Sequence, residues 1–144
     1  MTTRMAIALA SLLNALVALY LHLWKLGLAG SLACTGSGGC EYVQGSQYGW
    51  FLGIDVALIG TIGYALLFVT AVIGTLPRFA DGRALNTALQ LLVWPAVAFT
   101  VRLKWAEWIV LRSFCPWCAI SAITITSFAV LVVLDRRRVA RLAA

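Results

Sequence analysis

Four long runs of this chain contain no charged residue: Met5 to Trp24, Val56 to Leu76, Ala84 to Val101 and Ser113 to Leu134. Crossing the hydrocarbon core of a bilayer takes about 20 predominantly apolar residues in a helix, so each run predicts a membrane-spanning helix. The third extends on this reading to about Trp108, with Arg102 and Lys104 snorkelling from its last turns and Pro95 kinking it from within. The expected spans are therefore approximately 5–24, 56–76, 84–108 and 113–134. Asp55 suits the N-cap of the second helix, and Gly60 and Gly63 allow a neighbouring helix to approach it closely. A polar turn, Pro77 to Arg83, joins the second span to the third, and Asp135 to Arg141 reads as a basic tail. The longest connection, Lys25 to Asp55, offers a short surface helix at Glu41 to Ser46. The fold class is an all-α integral membrane protein, a four-helix bundle formed by residues 1–144 as a single domain.

Composition agrees. Hydrophobic residues make up 62% and charged residues 11% of 144 residues, whereas a soluble domain is about half apolar and a quarter charged. The net charge of +6 does not point to nucleic acid, because the basic residues gather at the ends of apolar runs. Arg4 ahead of the first run raises the question of a signal peptide, but that run exceeds the roughly 7–15 residues of a signal's apolar core. His22, Glu107, Arg102 and Lys104 read as interfacial residues, with Trp94, Trp105 and Trp108 as aromatic-belt positions.

With four spans, both termini and the second loop share one side, which carries Arg4, Arg78, Arg83, Arg136, Arg137, Arg138 and Arg141. The other side carries Lys25, Arg102, Lys104 and Arg112. The positive-inside bias predicts a cytoplasmic location for both termini in a multi-pass inner-membrane protein. All four cysteines, Cys34, Cys40, Cys115 and Cys118, then fall on the extracytoplasmic side, where thiols meet oxidising conditions.

Cys115 and Cys118 stand three residues apart at the front of the fourth span. On a helix their Cβ atoms lie roughly 5–6 Å apart, close enough to form a disulfide after small adjustment. Pro116 suits the first helical position, where the positive end of the helix dipole favours a thiolate. Cys34 and Cys40 are six residues apart, and a fold-back through Gly36, Gly38 and Gly39 can bring them within bonding distance. An exposed pair in a glycine-rich loop and a pair fixed in a helix suit a thiol–disulfide relay. Cys118 lies about 4.5 Å further along the helix than Cys115, which expects Cys115 to face the loop and Cys118 to face an acceptor in the lipid. No dinucleotide, haem or flavin pattern is evident, and a membrane quinone remains by elimination.

The arrangement resembles the vitamin K epoxide reductase family, in a bacterial or archaeal form without a fused thioredoxin domain. The residues that carry the resemblance are the first-loop cysteine pair, Cys40-Glu41-Tyr42-Val43-Gln44-Gly45-Ser46, Leu52-Gly53-Ile54, and Cys115-Pro116-Trp117-Cys118. The resemblance implies a bundle around a quinone of the ubiquinone, menaquinone or vitamin K type. It implies that Cys34 exchanges with a separate thioredoxin-like or DsbA-like protein, that Cys40 exchanges with Cys115, and that Cys118 adjoins the quinone ring. It further implies a securing or hydrogen-bonding role for Ser46 near the site. Asp55 stands where many bacterial relatives have proline, and Ala122 where vertebrate relatives have tyrosine.

Three other readings compete. A DsbB-type oxidase does similar chemistry, but carries its Cys-x-x-Cys in the first loop and the wider pair in the second. A zinc site on four cysteines is structural, but the wide first spacing is loose for a knuckle; the favoured expectation holds no metal. A non-catalytic membrane protein with two structural disulfides uses the same residues without electron transfer.

Overall fold

The computed structural model describes residues 2–34 and 38–142. Gly36, one hinge of the expected fold-back, lies outside the described residues. The chain forms α1 (Thr2–Lys25), α2 (Gly39–Gly45), a 3-10 turn (Gln47–Gly49), β1 (Trp50–Phe51), β2 (Ile54–Asp55), α3 (Val56–Ile73), α4 (Arg83–Trp105), a π-helical turn (Ala106–Val110) and α5 (Pro116–Leu142). Four segments are long and apolar enough to cross a membrane: Thr3–Lys25, Val56–Ile73, Arg83–Val110 and Pro116–Leu142. These match the four expected spans, and the protein is a multi-pass helical membrane protein.

Helix α1 packs along α3, and α4 along α5. The main core gathers Ile7, Leu67, Leu89, Val93, Phe128 and Val132 from all four long helices. Outward-facing leucines and isoleucines such as Leu13, Leu16, Leu91 and Ile123 are exposed, as suits helices whose solvent is lipid rather than water. Trp94, Trp105 and Trp108 are also exposed. A smaller cluster at one end of the bundle joins Leu21, Leu32, Ala57, Cys40 and Cys115.

Several boundaries differ from the expected ones, for reasons visible in the polar contacts. Helix α1 begins at Thr2 and takes Arg4 into the bundle, where the residue is 2% exposed. The Arg4 guanidinium donates to Asp135 Oδ2 at 3.0 and 3.2 Å, to the Gly74 carbonyl at 3.0 Å and to the Phe79 carbonyl at 3.2 Å. Asn86 Nδ2 donates to the same Asp135 oxygen at 2.9 Å. Asp135 is thus no part of a free tail: α5 continues through it to Leu142, with Val139 also buried. Helix α3 stops at Ile73, three residues early, because Gly74 and the turn after it direct carbonyls at Arg4. Gly63 opens onto a cavity rather than a helix contact, while Gly60 faces Ala18 of α1.

Removing one partner of a buried ion pair leaves an uncompensated charge. Asp135→Ala should lower unfolding stability in detergent by about 3–5 kcal/mol, and Asp135→Asn, which keeps an acceptor, by less. Denaturant titration monitored by tryptophan fluorescence measures both.

Candidate active site

Helix α5 starts at Pro116, so Cys115 occupies the capping position and Cys118 the third helical residue. The Cys118 N–H donates to Cys115 Sγ at 3.4 Å, and the thiol therefore satisfies a helix-end donor as a serine or aspartate cap does. Cys115 and Cys118 are free thiols, whereas Cys34 and Cys40 form a disulfide. Donation from the Cys118 thiol outweighs the opposing effect of burial and lowers the Cys115 pKa to about 7.

The first-loop helix α2 seats directly on this helix start. A Cβ at Gly39 would run into the Phe114 carbonyl oxygen, so the two backbones meet there without a side chain between them. Cys40 and Cys115, the next residue on each side, are both fully buried in one cluster, with Cys34 and Cys118 packed at its edge. Gly38 enters α2 with a positive φ of 75°, a conformation that suits glycine. Trp117 Nε1 donates to the Ala33 carbonyl at 2.7 Å and fastens the other end of the loop.

Behind Cys118 lies a cavity of about 460 Å³, predominantly apolar, enclosed by α1, α3, α4 and α5 and capped by α2 and the hairpin. That volume falls within the roughly 300–1,000 Å³ of small-molecule sites. Cys118 reaches it, and Cys115 does not line it. Gln44 Nε2 donates to Cys118 Sγ at 3.3 Å. One turn deeper on the same wall, Tyr64 and Ser121 share a hydroxyl hydrogen bond of 2.8 Å. Lys104 and Glu107 are the two charged residues among the described lining.

Both depart from the interfacial reading. Glu107 is 2% exposed: the π-helical turn carries it inward, where Oε1 accepts the Cys115 N–H at 2.9 Å and Oε2 accepts Lys104 Nζ at 2.8 Å. Arg102 instead stacks over Phe51, 5.2 Å from its ring centroid. His22 Nδ1 lies 2.6 Å from Asp55 Oδ2, and Lys25 Nζ pairs with Asp55 Oδ1 at 2.5 Å, so neither is a free headgroup contact. Asp55 also caps α3 as expected, accepting the Ala57 N–H at 3.0 Å. Ser46 donates to the Val43 carbonyl at 2.8 Å, ending α2, and does not line the cavity.

Residues 5–133 match the family model described as the vitamin K epoxide reductase family. The chain belongs to that family. Membership makes it a thiol–disulfide oxidoreductase in general terms, consistent with one closed and one open cysteine pair at the same end of the bundle. Within this family member, Gln44 is the contact that residue-by-residue reading of the sequence passed over. Its signal was present: Gln44 follows Cys40 by four residues in a short helix, which puts both on one face. Asp55 ties α1 to the hairpin through Lys25, whose ammonium also donates to the Gly49 carbonyl at 3.0 Å.

Two outcomes follow from this geometry. Gly39→Val should unseat α2 from Phe114 and expose Cys115, raising its maleimide labelling rate by about tenfold or more. Labelling under non-reducing conditions, followed by mass spectrometry, measures it. Burial opposes ionisation of Asp55, but hydrogen bonds from Lys25, His22 and Ala57 outweigh it and hold the carboxyl below the usual aspartate range. A depressed native pKa contributes stability that is present above the unfolded value of about 3.9 and is lost as pH falls through the native one. Thermal stability should therefore fall more steeply below about pH 4 in the native protein than in Asp55→Asn.

Proposed function

We propose that the protein is a thiol:quinone oxidoreductase that generates disulfide bonds outside the cytoplasm. Electrons pass from a separate thioredoxin-like or DsbA-like protein to Cys34/Cys40, then to Cys115/Cys118, then to a membrane quinone of the ubiquinone, menaquinone or vitamin K type. The observation that carries this reading is the division of labour in the Cys-x-x-Cys pair: Cys115 is buried against Cys40, while Cys118 lines an apolar cavity. A predominantly apolar cavity among spanning helices suits a lipid-soluble carrier better than a charged one.

The relay runs as thiol–disulfide exchange. The reduced loop pair attacks the Cys115–Cys118 disulfide through Cys40, forming a Cys40–Cys115 mixed disulfide and releasing Cys118; the two protons given up by the loop thiols are taken up by Cys115 and Cys118 over the whole exchange. Cys34 then attacks Cys40, closing the loop disulfide and freeing Cys115. Cys115 then closes on Cys118, and the quinone leaves as quinol.

Cys115 is suited to repeated exchange, since the hydrogen bond from Cys118 favours its thiolate form. Gln44 supports a charge at Cys118 by hydrogen bonding, and Ser46 positions Gln44 by closing α2. Both termini lie in the cytoplasm on this reading. The charge asymmetry of the sequence supports that sidedness.

The test is quinone reduction by purified protein with a reduced thioredoxin-like substrate. Cys118→Ala should abolish it with every reductant. Cys34→Ala should lose the protein substrate while keeping activity with a small dithiol. Quinone reduction that is absent in the native protein, or that survives Cys118→Ala, overturns the proposal.

A further inference from the structure

We infer that Glu107 is the proton carrier between the buried Cys115 thiol and the quinone oxygen in the cavity; this rests on the thiol:quinone reading above. Two-electron oxidation of the Cys115/Cys118 dithiol breaks two S–H bonds and forms one S–S bond. The quinone gains the electron pair and two protons, one at each oxygen, and no other reactant is consumed. Cys118 lies on the cavity wall and can release its proton there. Cys115 is fully buried and does not line the cavity, so its proton needs a route.

Glu107 has the position for that route. It is the sole carboxylic acid among the described residues lining the cavity. Its Oε1 is fixed beside Cys115 by the Cys115 N–H at 2.9 Å. Its Oε2 is held at 2.8 Å by Lys104, which also lines the cavity. A carboxylate bonded to the backbone of Cys115 and also lining the cavity is the acid–base group placed between the buried thiol and the cavity. The pair also explains a placement that stability alone does not, since taking a charge pair out of water costs more than packing apolar residues in the same space. The titratable or charged groups facing Glu107 are Lys104 on the preceding turn and Cys115 and Cys118 at the start of α5; Tyr48 lines the same cavity.

Glu107→Gln keeps an acceptor for the Cys115 N–H and cannot carry the proton. Because it leaves Lys104 without its anion, Lys104→Met/Glu107→Gln is the matched control for folding. Two steps are read separately by rapid alkylation: transfer from Cys34/Cys40 to Cys115/Cys118 without quinone, and oxidation of Cys115/Cys118 by added ubiquinone or menaquinone analogue. In both variants the quinone step should slow roughly 100-fold while the first step stays within about twofold. Glu107→Asp should recover part of the loss, while Lys104→Met alone, which keeps the carboxylic acid, should stay within about threefold of native in the quinone step.

Equal slowing of both steps in both variants would mean that Glu107 only shapes the helix start, and would overturn the inference. So would a quinone step within about threefold of native in Glu107→Gln. Either result, with a native protein that reduces quinone, leaves the thiol:quinone reading standing. A native protein that reduces no quinone removes both.

Discussion

The seating of α2 on the start of α5 is the contact on which the rest of the site depends. A bilayer readily yields a four-helix bundle, because every spanning segment must satisfy its own backbone and only helices do so without partners. A bundle alone leaves the helix end carrying Cys115 and Cys118 open to water and the first-loop cysteines free of it. What joins them is Gly39 lying against the Phe114 carbonyl, with Trp117 bonded to Ala33 on one flank and Gln44 to Cys118 on the other. A residue with a side chain at position 39 cannot make that approach. The two cysteine pairs are therefore held by backbone proximity rather than by a long-range interaction.

Three carboxylates taken out of water organise the bundle around that contact. Asp135 with Arg4 and Asn86 ties α1, α4 and α5 at the end remote from the cysteines. Asp55 with Lys25 and His22 fixes the exit of α1 to the entry of α3. Glu107 with Lys104 and the Cys115 amide fixes the exit of α4 to the entry of α5. Each accepts from at least two donor groups, the condition under which a buried charge is tolerable. Their value lies in specificity: a carboxylate that fits one arrangement of helices is heavily penalised in a shifted one, whereas leucine against leucine slides at little cost.

The four spans were legible in the sequence because a run of 18 or more residues without charge suits the interior of a bilayer and little else in a chain of this size. The Cys-x-x-Cys pair and its place at a helix start were legible because Pro116 marks the first turn. Local pattern failed where a charge was internal. Asp135 begins a run of arginines and reads as the end of a span, yet its partner is 131 positions away. Glu107 sits among tryptophans and reads as interfacial, and only the π-helical turn, which has no reliable sequence signature, rotates it toward Cys115. In both cases the deciding partner is remote in sequence or set by a single irregular turn, so neighbouring residues carry no trace of it.

The same irregular turn bears on how the loop cysteines and the apolar cavity can both adjoin one helix start. Cys115 adjoins the loop and Cys118 the cavity because Cys115 stands just ahead of α5 and Cys118 about one turn further along the same face. Were α4 to continue as a regular α-helix into the connection, Glu107 would rotate relative to α5 and the Cys115 amide would lose its acceptor inside an apolar cluster. An unpartnered N–H there costs more than a surface one, since no water is present to replace the bond. The π-helical turn is thus the local irregularity that lets one polar side chain complete the helix start and still present its other oxygen toward Lys104 at the cavity. That geometry keeps the thiol pair closed to water on the loop side and open to an apolar ligand on the other.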